Sequence, residues 1–61
     1  MKLEVNKNYR ITKNGKSKDF TPETIDREND EVYLKITTPI TYHQGFKLSE
    51  LESKEGIEEI V

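Results

Sequence analysis

Asn14–Gly15 lies between "YRITK" and "KSKDF", and this dipeptide limits the fold more than any other feature of the chain. A two-residue type I′ turn needs positive φ at both central positions, which Asn and Gly adopt most readily, so the pair predicts a β-hairpin of set register. Counting outward, Lys13 faces Lys16, Thr12 faces Ser17, Ile11 faces Lys18, Arg10 faces Asp19 and Tyr9 faces Phe20. The aromatic, ionic and hydroxyl pairs each contribute roughly 0.2–1 kcal/mol. Lys13 and Lys16 repel beside the turn, and Ile11 is covered on this side only if the Lys18 stem lies over it. The hairpin is therefore expected to be tied to the core by Tyr9 and Phe20, with its tip projecting as a basic finger.

Strand-like patterning continues downstream. Val32, Leu34 and Ile36 alternate with Tyr33 and Lys35, the period of a half-buried strand. Pro22 confines residues 20–26 to an edge or a bend, and the Asp26–Asp30 segment "DREND" reads as a polar reversal. Pro39 marks a tight turn in "TTP"; Ile40, Tyr42 and Phe46 predict a further strand, with Gly45 as a bulge or bend. Ser49 followed by Glu52 matches a capping box, and Gly56 suits a left-handed helix terminus, which allows a helical turn at residues 50–55. Beyond it, Leu51, Ile57, Ile60 and Val61 make no single helical stripe, so a closing strand over 57–61 is expected.

A hairpin, a meander, one helical turn and a closing strand, in that order over residues 3–61, make a layout similar to the Src homology 3-like barrels. The resemblance implies a mainly β fold: a small five-stranded barrel or roll forming a single domain, 1–61. The chain lacks tryptophan and the acidic-aromatic first loop of the peptide-binding members, so a proline-rich ligand is not expected.

A chain of 61 residues buries only roughly 60% of the surface its unfolded form exposes, and without cysteine it has no disulfide staple. Neither a membrane-length apolar run nor a signal-peptide core occurs, so a cytoplasmic setting and no membrane partner are expected. The net charge of −2 conceals a split: residues 1–20 carry six bases against two acids, residues 21–61 four against ten.

Chemistry is scarce. His43 is the only histidine, no cysteine is present, and Ser49 is accounted for as a helix cap, so no catalytic residue is assigned. One histidine among scattered carboxylates lacks metal-ligand spacing, "DREND" is too short for a calcium loop, and the isolated glycines form no phosphate cradle; no metal and no cofactor are expected. Tyr33, pointing outward between inward-facing neighbours, is expected to form a partner-binding patch with Tyr42 and His43. These features predict a non-enzymatic protein-interaction or regulatory module. The abundance of Lys, Asn, Ile and Glu fits an AT-rich bacterial or phage genome. Unpaired strand edges predict a monomer or weak homodimer. The alternative is weak nucleic-acid binding through Arg10, Lys13, Lys16 and Lys18. Against it stand a pI near 5.3, few phosphate contacts and no aromatic residue among these lysines on which a base could stack.

Overall fold

In the computed structural model, which describes residues 1–60, Asn14 (φ 54°) and Gly15 (φ 76°) turn the chain between β1 (Tyr9–Lys13) and β2 (Lys16–Asp26). All five cross-strand pairs are those the turn dictates, from Lys13 opposite Lys16 to Tyr9 opposite Phe20. The Tyr9 and Phe20 rings are buried and stack with centroids 5.6 Å apart. Thr12 and Ser17 hydroxyls lie 3.0 Å apart, and the Arg10 guanidinium donates to both Asp19 oxygens at 2.8 and 3.2 Å. Ile11 gains its cover from a third strand, for it lies opposite Ile57 of β5 (Ile57–Glu59).

β2 runs on as one strand of 11 residues and pairs with β3 (Glu31–Thr38), which pairs in turn with β4 (Tyr42–Lys47). The sheet is antiparallel throughout, in the order β4-β3-β2-β1-β5. It stays open, so of the barrel or roll that was expected the closed barrel does not form. Closure would need β4 to pair along β5, and a strand of three residues offers too little length. The short helix α1 (Leu48–Glu52) packs on β3 and β4 and adds Leu48 and Leu51 to the core. Among the described residues, no helix is long and apolar enough to cross a membrane.

Pro22 is not on an outer edge but buried within β2, at the bend that the sequence also allowed. It pairs with Leu34, while Thr24 pairs with Tyr33, so Glu23 is an extra residue and β2 carries a bulge there. The bulge restores the phase of burial: Phe20 and Pro22 face inward before it, and Ile25 packs on the core after it. A second register shift makes Thr37 the extra residue on β3. Gly45, by contrast, sits in an unbroken β3–β4 ladder with no bulge. Ile40 falls before the strand that was expected to include it and is 67% exposed, while Tyr42 is half-buried against the core. Val61 of the expected closing strand lies outside the described residues.

The helix begins earlier than expected and is capped differently. Its N-cap position is Lys47, which makes no side-chain cap; the Asp30 carboxylate, from the β2–β3 turn, accepts from the Ser49 amide at 2.7 Å and from its hydroxyl at 2.6 Å. Glu52 likewise turns away from its own helix. It accepts from the Leu3 amide at 2.6 Å and from both terminal nitrogens of Arg27 at 3.1 Å, tying the buried Leu3 segment to the β2–β3 turn and α1. Asp30 thus takes the Ser49 amide that Glu52 would have taken in a local capping box, and Glu52 fixes tertiary contacts instead. Gly56 (φ 82°) lies past the helix and leads into β5 instead of ending the helix.

Hydrogen bonds from Arg27 hold the Glu52 carboxyl below its usual pKa, and those from Ser49 do the same for Asp30. Because the folded values are depressed, the stabilisation is present above the ordinary carboxylate range of about 4 and is lost as pH falls through the folded values. Melting temperature is therefore expected to drop steadily below about pH 4. Glu52→Gln should cost about 1 kcal/mol at neutral pH, given the exposure of Arg27, and should flatten part of the acid-side decline. Thermal melts against pH test this; a parallel decline in the variant and parent would exclude Glu52 as a contributor.

Candidate functional site

Alternation along β3 and β4 sorts the candidate residues between two faces. Val32, Leu34 and Ile36 are buried on one face; Tyr33 and Lys35 are exposed on the other, opposite Gly45 and His43 of β4. Tyr33 is 48% exposed, and its ring lies along Gly45, where a Cβ atom would come within 3.5 Å of Cδ1. Glycine at this position thus gives the tyrosine a flat floor of backbone, as when an aromatic side chain covers a strand glycine from across the ladder. His43 stacks with the tyrosine, ring centroids 6.2 Å apart and planes 18° from parallel. Its Nε2 lies 3.2 Å from Oε1 of Glu23, the bulge residue of β2, which reaches across β3. A bulge re-aims a side chain in just this manner.

The structure brings Tyr33 and His43 together and separates Tyr42 from them. Tyr42 pairs with Ile36 and belongs to the inner face, where its hydroxyl accepts from Lys18 Nζ at 3.2 Å. One contributor was not picked out from the sequence as a site residue: Glu23, whose role depends on a bulge; Phe46, opposite Val32 and so on the inner face, is 37% exposed at the sheet edge nearby. Beside Tyr33 an open groove of about 490 Å³ is lined by Thr24, Asp26, Glu31, Phe46 and Lys47. Asp26 is held ionised by the side-chain and backbone N–H groups of Asn29, which depress its pKa. The groove thus joins an aromatic wall to a rim with two carboxylates and one ammonium.

The basic residues divide differently. Lys13, Lys16 and Lys18 share the face of Tyr9 and Phe20, whereas Arg10 shares the opposite face with Asp19. Arg10 is neutralised locally, since Asp19 is hydrogen-bonded to it and ionised below its usual pKa. Lys18 is engaged with Tyr42, its ammonium lying 5.9 Å from the ring centroid. Only Lys13 and Lys16 project from the finger tip without a partner among the hydrogen bonds and ion pairs of the described residues.

Ser49, the hydroxyl considered as a nucleophile, donates to Asp30 at the start of α1. Among the described residues, no group of three or more His, Asp and Glu side chains is placed to hold a metal ion. Compared with family models, with curated proteins and with solved structures, the chain matches none.

Proposed function

We propose that this chain is a non-enzymatic protein-binding module whose contact surface is the Tyr33–His43 face with the groove beside Tyr33. The observation that carries the proposal is the mounting of Tyr33: an exposed aromatic ring over Gly45, braced by His43, which Glu23 holds in turn. A pre-positioned tyrosine offers a large amphipathic surface and loses little conformational entropy on binding. Asp26 and Glu31 on the rim favour a partner segment that presents a cation beside an apolar side chain. The reading includes a Src homology 3-like fold left open, supported by the sequence of hairpin, meander, helical turn and final strand paired to the first. A cytoplasmic bacterial or phage regulator remains the setting proposed for it.

Capture from a host extract with the parent and with Tyr33→Ala tests the site. The expected result is one specific partner retained by the parent, at least tenfold depleted by Tyr33→Ala, with the melting temperature nearly unchanged because Tyr33 lies outside the core. The nucleic-acid alternative meets its test in fluorescence anisotropy with single-stranded and duplex probes. No binding is expected at physiological salt, given two unengaged lysines at the finger tip. Salt-sensitive micromolar binding, lost on replacing Lys13, Lys16 and Lys18 with Gln, would move the function to the hairpin.

A further inference from the structure

An edge strand presents a row of unpaired backbone donors and acceptors, and the sheet has two such strands, β4 and β5. They are guarded unequally. β5 has three residues, two of them Glu58 and Glu59, so shortness and charge both discourage further pairing. β4 runs six residues with no proline, no acidic side chain and no bulge against β3, and five of its residues are exposed.

We propose that β4 pairs antiparallel with β4 of a second copy of this chain, in a register centred on Gln44. A two-fold axis normal to the sheet keeps each residue on its own face, so the axis must pass through a residue position and not between two. Three centres are available within the middle of the strand. Centring on Gly45 sets His43 opposite Lys47, two basic side chains, and Gln44 opposite Phe46. Centring on His43 runs Gly45 and Phe46 onto Thr41 and Ile40, before the strand begins. Centring on Gln44 sets Tyr42 opposite Phe46 twice on the inner face, His43 opposite Gly45 twice on the outer face, and the two Gln44 amides together.

That last arrangement is self-complementary in each respect. The aromatic pair covers Phe46, the large apolar side chain left exposed at this edge. His43 leans inward on Tyr33 and Glu23 and Gly45 has no side chain, so this pair sets little bulk at the edge, and no like charges stand directly opposite within the paired residues. Since β5 resists pairing, the contact closes as a dimer and does not propagate. It also sets two Tyr33–His43 patches on one face of a continuous sheet. The dimer rests on the backbone groups of the strand edge, while His43 and Gly45 belong both to this pairing and to the Tyr33 surface.

The absence of cysteine makes the register directly testable. Sedimentation velocity from micromolar to near-millimolar concentration is expected to show a reversible monomer–dimer equilibrium, weak because the paired edge falls below the roughly 1,200 Å² of standard interfaces. Under mild oxidation, Gln44→Cys should form a disulfide-linked dimer at least tenfold faster than Lys47→Cys or Lys35→Cys, each compared at equal folded fraction by circular dichroism. Equal rates at the three positions would indicate random collision and overturn the register. A parent that sediments only as monomer up to near-millimolar concentration would overturn the dimer and leave the edge to an extended segment of another protein.

Discussion

Phe20→Ala is expected to lower stability by about 3 kcal/mol, a loss that matches much of the total available to a domain this small, for which about 0.05–0.15 kcal/mol per residue is usual. Phe20 is buried at the centre of the sheet, opposite Tyr9 on β1 and Ile36 on β3 and stacked on the Tyr9 ring. Removing the ring opens a cavity that strands held by backbone ladders on both sides cannot collapse to fill. In thermal melts the midpoint should fall by about 12–24 °C, or the variant should be unfolded at room temperature. Phe46→Ala provides the contrast. With its side chain partly in water at the edge, its loss should be well under half as large. Equal effects of the two changes would mean that the burial assigned to Phe20 is wrong.

Gly56→Ala is the second substitution with a large expected effect. Gly56 has φ 82°, and a Cβ atom there would lie 2.5 Å from the Thr12 carbonyl oxygen, while the Gly56 carbonyl accepts from the Thr12 amide at 3.0 Å. The left-handed conformation alone costs alanine about 1–2 kcal/mol. Relieving the clash must also push β5 away from β1, giving an expected total of about 2–4 kcal/mol. Gly15→Ala isolates the two contributions, because Gly15 has a similar φ of 76° but open space where its Cβ would go. Denaturant titrations should show a loss of about 1 kcal/mol at Gly15 and at least twice that at Gly56. Equal losses would show that β5 does not dock against Thr12 as described.

The different grounds of these two predictions mark what could be read without a structure. Phe20 opposite Tyr9 follows from the Asn14–Gly15 turn, because a two-residue loop leaves no freedom in how the flanking residues pair. The burial of Val32, Leu34 and Ile36 and the exposure of Tyr33 follow from period-two alternation in the same way. Gly56 was legible only as a glycine with a special conformation; that it lets β5 approach Thr12 depends on a contact between residues 44 positions apart in the chain.

The candidate site shows the same division. Tyr33 and His43 were legible as exposed side chains, but their stacking needs the β3–β4 register, which "TTP" and the residues after it do not set as a two-residue turn would. The interval from Pro22 to Ile25 is odd where alternation requires an even one, and it was the one local sign of the bulge that aims Glu23 at His43. Ser49 and Glu52 match a local capping box, yet the nearby Asp30, Leu3 and Arg27 offered better-placed partners, and the box did not form. The sequence by itself determined the hairpin, the strand periods and the inner and outer faces, since each depends on steric rules acting over a few neighbouring residues. Tertiary structure alone decided the open sheet, the distant helix cap and the floor under Tyr33. Each of these depends on loop closures whose entropy cost varies only slowly with length, so nothing local to the chain selects among the alternatives.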